Sequence, residues 1–315
     1  MRFFAHAHYK FIEQRKKLYV VSATAILIGV AAMVVNFFSI GSWQNYGIDF
    51  TGGTLVQVQF NKAMDAGDLR SALGGGYVIT RFGDATTYQI RAPLGEQTID
   101  QVATAIQQKL TTAFGADAFK VVSKDLVSPK VAGELLRKAG LAILFSFIIT
   151  LIYLAFRFET RFGTAAIIAT AHDIMITLGF LAVFRMEISL ESVAAVLTIV
   201  GYSLNDTIIV FDRIRENLHK KGARKRDLIE LIDASINETL PRTILTSGTT
   251  VAVLVALLLL GGAVIRDFTV VLIMGIVVGT YSSIFVASPA LVEIQKRWGE
   301  GKIREKKARP SPATV

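Results

Sequence analysis

The sequence predicts a polytopic α-helical membrane protein: six transmembrane helices, with one extramembrane α+β domain inserted between the first and the second. Three observations predict it. The 315-residue chain is 52% hydrophobic, more apolar than an ordinary soluble domain of that length. Its apolar residues gather into runs of about 20, the length that crosses a hydrocarbon core. The formal net charge of +9 sits in short flanks of those runs, the distribution that orients helices in a membrane.

Residues 1–17 carry five Lys/Arg against one Glu, and no charge follows from Leu18 through Ile48. The first span is placed at 18–40. The run is too long for the apolar core of a signal peptide, and Asn36-Phe37-Phe38 resembles no small-residue cleavage site, so a retained helix is expected. Further spans are expected at about 139–156, 162–184, 192–211, 243–265 and 268–292. Between them the 212–242 connection holds eight Lys/Arg and the tail 293–315 holds seven, whereas 41–128 has seven against eight Asp/Glu. The positive-inside rule therefore puts both termini and 212–242 in the cytoplasm, and 41–128 on the opposite face. No nucleic-acid motif accompanies the positive charge, which removes the obvious alternative reading of it. The chain has no cysteine, excluding disulfides and thiol chemistry.

Residues 41–128 read as a small independent fold. Thr54–Phe60 alternates apolar and polar, as a half-buried strand does. Asp65–Leu73 reads as a short helix stopped by Gly74-Gly75-Gly76. Tyr77–Phe82 and Thr87–Ala92 are strands joined across Gly83-Asp84-Ala85-Thr86. Thr98 and Gln101 have capping-box spacing, ahead of the helical face Ile99, Val102, Ala103, Ile106 and Leu110, and Phe119–Leu126 is a last strand. The order β-α-β-β-α-β is ferredoxin-like, with both helices expected on one sheet face. Nothing in this domain reads as a catalytic centre: it has no histidine, metal-ligand cluster or phosphate loop, so no enzyme, cofactor or metal is expected. Ser128-Pro129 then caps a helix expected to run straight into the second span.

Polar residues within the spans carry the functional expectation, because lipid cannot satisfy them and intramembrane charge marks function by default. Ser146, Thr150 and Tyr153 form one stripe. Span three carries Asp173 near its middle, with His172 beside it and Thr170 and Thr177 on its face. Span four carries Ser203 and Asp206, and Arg242, Thr246, Thr249 and Thr250 enter span five. Structural readings stand beside these. Ser and Thr often bond their own helix backbone, His172 serves equally as a packing residue, and Arg242 alone is accounted for by snorkelling at the membrane surface. The carboxylates Asp206 and Asp173 are harder to explain structurally. Asp206 lies about 9 Å inside Asp212 along its helix, so Arg242 could reach it if spans four and five are neighbours. In span six, Gly275, Gly279, Ser283 and Ala287 make a small-residue stripe for close packing. Leu228, Leu231, Ile232, Ser235 and Ile236 oppose Arg224-Lys225-Arg226 and Asp227, as in an amphipathic helix on the inner surface, with a break expected at Pro241.

Three stretches resemble one family. Gly47-Ile48-Asp49-Phe50-Thr51-Gly52-Gly53, the run from Gly201 to Asn217, and Arg242-Thr243-Ile244-Leu245-Thr246-Ser247 look like SecF, the smaller membrane subunit of SecDF within the RND superfamily. The resemblance covers essentially the whole chain. It implies an RND-like bundle in the bacterial inner membrane, a periplasmic 41–128 domain, and SecD, the SecYEG translocon and YajC as partners. It also implies that the proton-motive force assists the translocation and release of unfolded exported polypeptides. By motif, the family's proton-pathway residues fall on Asp206, Arg242 and Thr246, with Asp173 a weaker candidate, and its periplasmic-side motif on Gly47, Asp49, Gly52 and Gly53. Two rival functions remain at this level. One is an RND-type exporter of small molecules or lipids, which ordinarily has two six-span halves. The other is a non-transporting assembly factor in which Asp206 and Arg242 pair only for stability.

Overall fold

A computed structural model describes residues 8–75, 77–92, 98–220, 227–262 and 265–297. In chain order, helix α1 (Arg15–Ile40) leads to a short strand β1 (Asn45–Tyr46) and a one-turn helix α2 (Ile48–Thr51). A small domain follows: β2 (Gly53–Phe60), α3 (Ala66–Leu73), β3 (Val78–Arg81), β4 (Thr87–Ala92), α4 (Ile99–Phe114) and β5 (Phe119–Val127). The chain continues through α5 (Pro129–Arg157), α6 (Thr160–Val183), a two-residue strand β6 (Glu187–Ile188), α7 (Leu190–His219) and α8 (Leu228–Leu260). The last long helix consists of α9 (Arg266–Ser282), a π turn at Ser283–Ala287 and α10 (Ser288–Arg297).

Among the described residues six helices are long and apolar enough to cross a membrane; each overlaps one expected span, with the helix of the fifth ending at Leu260, short of the expected 265. Local chemistry accounts for their starts. The Ser128 hydroxyl accepts from the Val131 amide and Pro129 opens the first turn, so α5 runs unbroken from the domain into its span. Ser189 and Ser192 cap α7 reciprocally.

The 212–242 connection differs from expectation. α7 extends to His219, and α8 begins at Leu228 and passes through Pro241 without a break. No separate surface helix ending at Pro241 exists; that stretch is the first part of α8. Proline in a helix interior costs about 3 kcal/mol, and tertiary burial offsets it here. Leu231, Ile232, Ile236 and Leu240 are buried in the bundle core with Phe211 and Ile214 of α7, each such side chain contributing about 1.5–3 kcal/mol. Asn217 also donates to the Ser235 hydroxyl at 2.9 Å, and Arg213 pairs with Glu238. The basic cluster Arg224-Lys225-Arg226, the tail from residue 298, residues 1–7 and Gly76 lie outside the described residues.

Glycines set the closest helix approaches. A Cβ on Gly275 would lie 2.1 Å from Ile199 Cδ1, and one on Gly279 would lie 2.9 Å from Ser203 Cβ. The small-residue stripe of span six therefore seats α9 on α7. α1 meets α6 at Gly29 and Gly179, where an added Cβ would lie 2.6 Å from the facing Cα. Ser22, Gly29 and Asn36 are the buried residues of α1, one every seven positions along a narrow seam.

In the domain the sheet order is β3-β4-β2-β5 with every neighbouring pair antiparallel, and the chain order is β-α-β-β-α-β. Val56, Val58 and Phe60 of β2 share the inner face, with Ile90 and Tyr88 opposite Val56 and Val58 across the β4 ladder. α3 and α4 cover that face with Leu69, Leu73, Val102, Ile106 and Leu110. Both helix starts follow the sequence signals. The Asp65 side chain caps α3 by accepting from the Gly67 amide, and Thr98 and Gln101 form the capping box of α4.

Candidate functional site

Asp206 sits on the face of α7 that meets α8 and α9, and it is 1% exposed. The Ser247 hydroxyl of α8 donates to its Oδ2 at 3.2 Å, and Thr280 of α9 stands 2.7 Å from the Ser247 oxygen. The other carboxylate oxygen, Oδ1, meets no hydrogen-bond partner among the described residues. Close by on α8, the buried Thr243 hydroxyl is likewise unpartnered among them. A buried carboxylate with one unpaired oxygen is costly as an anion and far less so as an acid, because protonation removes the charge.

Spans four and five are neighbours, but the geometry does not join Asp206 to Arg242. Arg242 is exposed and makes no ion pair among the described residues. The reason is angular. Arg242 precedes Ser247 by five residues, which on an α-helix is about 140° around and about 7.5 Å along the axis. Thr246 is half-buried, about 100° around from Ser247. The α8 residue that meets Asp206 is instead Ser247, which lies on a buried stripe with Thr239 and Thr243. Their spacing at i, i+4 and i+8 is the signal in the sequence that could have singled out this stripe. Thr250 accepts a hydrogen bond from the Tyr202 hydroxyl at 3.1 Å, and Thr280 had no local signal at all.

Asp173, expected as the weaker candidate, is the more fully bonded carboxylate. It is 2% exposed. Ser203 of α7 and Ser282 of α9 donate to Oδ2 at 2.5 and 2.7 Å, and His172 Nδ1 lies 2.8 Å from Oδ1. His172 Nε2 lies 3.1 Å from the Ser22 hydroxyl of α1, which lies 3.1 Å from the Tyr281 hydroxyl, and Tyr281 donates to the Leu18 carbonyl at 3.2 Å. Four helices meet at this cluster. Side chains of α6, α7 and α9 converge on its two oxygens, which makes Asp173 the polar tie of the bundle.

The motif residues after α1 form a junction at the domain end of the bundle. Asn45 and Tyr46 pair in parallel with Glu187 and Ile188. Gly47 donates to the Ile188 carbonyl at 2.9 Å, and a Cβ there would lie 2.5 Å from the Glu187 carboxylate. Asp49 accepts from the Leu190 amide at 3.0 Å, at the first turn of α7, where an acidic group also suits the helix dipole. Phe50 is buried among Ala139, Leu181, Ile188 and Ala195. Gly52 and Gly53 turn the chain into β2 with φ of 70° and 135°, conformations that other residues rarely adopt. Arg91 of β4 pairs with Glu187. The motif thus ties the sheet to the start of the helix that carries Asp206.

Six apolar spans, the buried carboxylates Asp173 and Asp206 where those helices meet, and a small α+β domain after the first span define a polytopic membrane protein with one extramembrane domain. Residues 106–297 match the family described as protein export membrane protein SecD/SecF, C-terminal, and residues 45–64 match the SecD/SecF GG motif. The protein translocase subunit SecF of Gemmatimonas aurantiaca is 47% identical over 95% of this chain and 90% of that one. The SecF of Magnetococcus marinus is 42% identical over 98% of this chain and 99% of its own. The crystal structure of SecDF from Thermus thermophilus superposes with a TM-score of 0.79 at 37% identity, covering 94% of this chain and 40% of the SecDF chain. The chain belongs to the SecF family of protein translocase subunits, components of protein export and not enzymes.

Proposed function

We propose that this chain, with a SecD-type partner, uses the proton-motive force to promote the translocation and release of unfolded polypeptides at the bacterial cytoplasmic membrane. The observation that carries the proposal is Asp206: a carboxylate at depth, with one oxygen unpaired and the other held only by Ser247. A guanidinium favours an ionised carboxylate and apolar burial favours the acid. Arg242 lies about a turn and a half from Ser247 on α8. A rotation of α8 that brings Arg242 or Thr246 to Asp206 would expel the proton, and the reverse rotation would admit one. Each charge crossing about 100 mV releases about 2.3 kcal/mol. Two protons supply nearly the roughly 5.5 kcal/mol that moves a two-state equilibrium from 1:99 to 99:1.

Two continuous connections support transmission of that bias to the domain: α5, unbroken from Pro129 into its span, and the Asp49–Leu190 junction at the start of α7. A SecD-type partner is inferred from the likeness to the solved SecDF chain, of which this chain matches 40%. Association with SecYEG and YajC belongs to the same reading. Flanking positive charge supports cytoplasmic termini and a periplasmic 41–128 domain. Proton flux into vesicles holding the chain with its SecD-type partner tests the proposal. Asp206→Asn abolishes the driven flux while the complex still co-purifies. Unchanged flux in an intact complex refutes it.

A further inference from the structure

The bonds around His172 carry one inference beyond the Asp206 site. Tyr281 gives its hydroxyl proton to the Leu18 carbonyl, so in the Ser22–Tyr281 contact Ser22 is the donor. Ser22 has no second proton. In the Ser22–His172 contact, Nε2 must therefore donate. The proton between Nδ1 and Asp173 Oδ1 then belongs to the imidazole or to the carboxyl. Either placement gives the pair the same number of protons and a net charge of zero. If the pair loses one proton, the imidazole keeps Nδ1–H toward Asp173, and Nε2, which has given up its hydrogen, becomes an acceptor. Ser22 turns to donate to Nε2, Tyr281 turns to Ser22, and the Leu18 carbonyl loses the Tyr281 bond. The pair then carries one negative charge.

We propose that His172 and Asp173 form a second proton-binding site, in series with Asp206 along α7, whose loading is read by α1 through Ser22 and Tyr281. This rests on the proton-driven reading above. The contact on α7 is Ser203, three residues before Asp206, about 4.5 Å along the helix toward the domain. Thr207 donates to the Ser203 carbonyl and continues the polar face between the two sites. The surrounding elements offer no fixed countercharge at this depth. α1 bears Arg15, Lys16 and Lys17 only before Leu18, and α6 has no other charge between residues 162 and 184. α7 offers Asp206, α5 is uncharged from 139 to 156, and the last helix is uncharged between Asp267 and Glu293. The proton is what neutralises the pair. α1 has a narrow seam on the bundle, so the Tyr281–Leu18 bond is a large part of its polar attachment near the site.

Infrared difference spectra between acid and alkaline pH, recorded on the full chain in lipid vesicles, test the inference. The wild-type difference spectrum, read in its carboxyl, carboxylate and imidazole bands together, should contain one component that Asp173→Asn abolishes and another that Asp206→Asn abolishes. Ser203→Ala should displace the midpoint of the first by about one pH unit, the size of one lost charge-assisted bond, and leave the second in place. His172→Gln should also move the first component. An Asp173→Asn spectrum identical to wild type overturns the proposal. So does an unmoved first component in Ser203→Ala, which decides the matter if Asp173→Asn does not fold. Proton flux indifferent to Asp206→Asn, with the Asp173 component intact, would count against the function proposed above and not against this site.

Discussion

Replacing Gly53 by alanine should open the 53–127 domain far more often. Gly53 has φ of 135°, where an L-residue costs about 1–3 kcal/mol. Its new Cβ would lie 2.9 Å from the Ala92 carbonyl, a backbone atom of the paired strand that cannot rotate away. Taking about 2 kcal/mol for the backbone and about 1 kcal/mol for the overlap, the domain loses about 3 kcal/mol. One decade is 1.36 kcal/mol, so the open population rises about 100-fold. Limited proteolysis of the full chain reads that population when reclosing outpaces cleavage. Gly75→Ala is the internal control, with no positive φ and nothing within 4 Å of the new Cβ, and its cleavage rate should match wild type. Cleavage of Gly53→Ala within threefold of wild type would refute the reasoning, because strain and overlap would then have relaxed at almost no cost.

Two further outcomes follow from packing and titration. Gly275→Leu should push α9 off α7 at Ile199 and cost about 1–3 kcal/mol, seen as earlier thermal aggregation in detergent; Gly248→Leu, with nothing within 4 Å, should not. In the β3–β4 turn, the Thr86 hydroxyl first, then the Thr86 and Thr87 amides, hold the Asp84 carboxyl below its ordinary value. A depressed folded value stabilises above the unfolded pKa of about 3.9 and is lost as pH falls through the folded one. Hydrogen exchange at Thr86 and Thr87, corrected for intrinsic rates, should show protection that is level above about pH 4 and declines below it. The same decline in Asp84→Asn would remove carboxylate titration as its cause.

Six spans, the domain between the first two, and the helix starts at Thr98, Asp65 and Ser128 were legible because each rests on short-range chemistry: run length, alternation, a capping side chain. Pro241 misled for the opposite reason. Its cost is local and visible, whereas the burial of Ile232, Ile236 and Leu240 that outweighs it is contributed by another helix. The α1 seam was written in the spacing of Ser22, Gly29 and Asn36, yet a span of such even hydrophobicity draws no attention to three small or polar positions.

The candidate site divides along the same line. Sequence alone determined that Asp206 and Asp173 lie in apolar helices, that Ser203 shares a face with Asp206, and that the motif at 47–53 turns on glycine. Only the tertiary structure decided which groups meet them: Ser247 and not Arg242 at Asp206, and Ser22, Ser203 and Ser282 around His172 and Asp173. Helical periodicity fixes the direction of a side chain relative to its own axis. Which neighbour stands in that direction depends on the rotation of the next helix, and here close contacts far along the chain, Gly275 against Ile199 and Gly29 against Gly179, set that rotation.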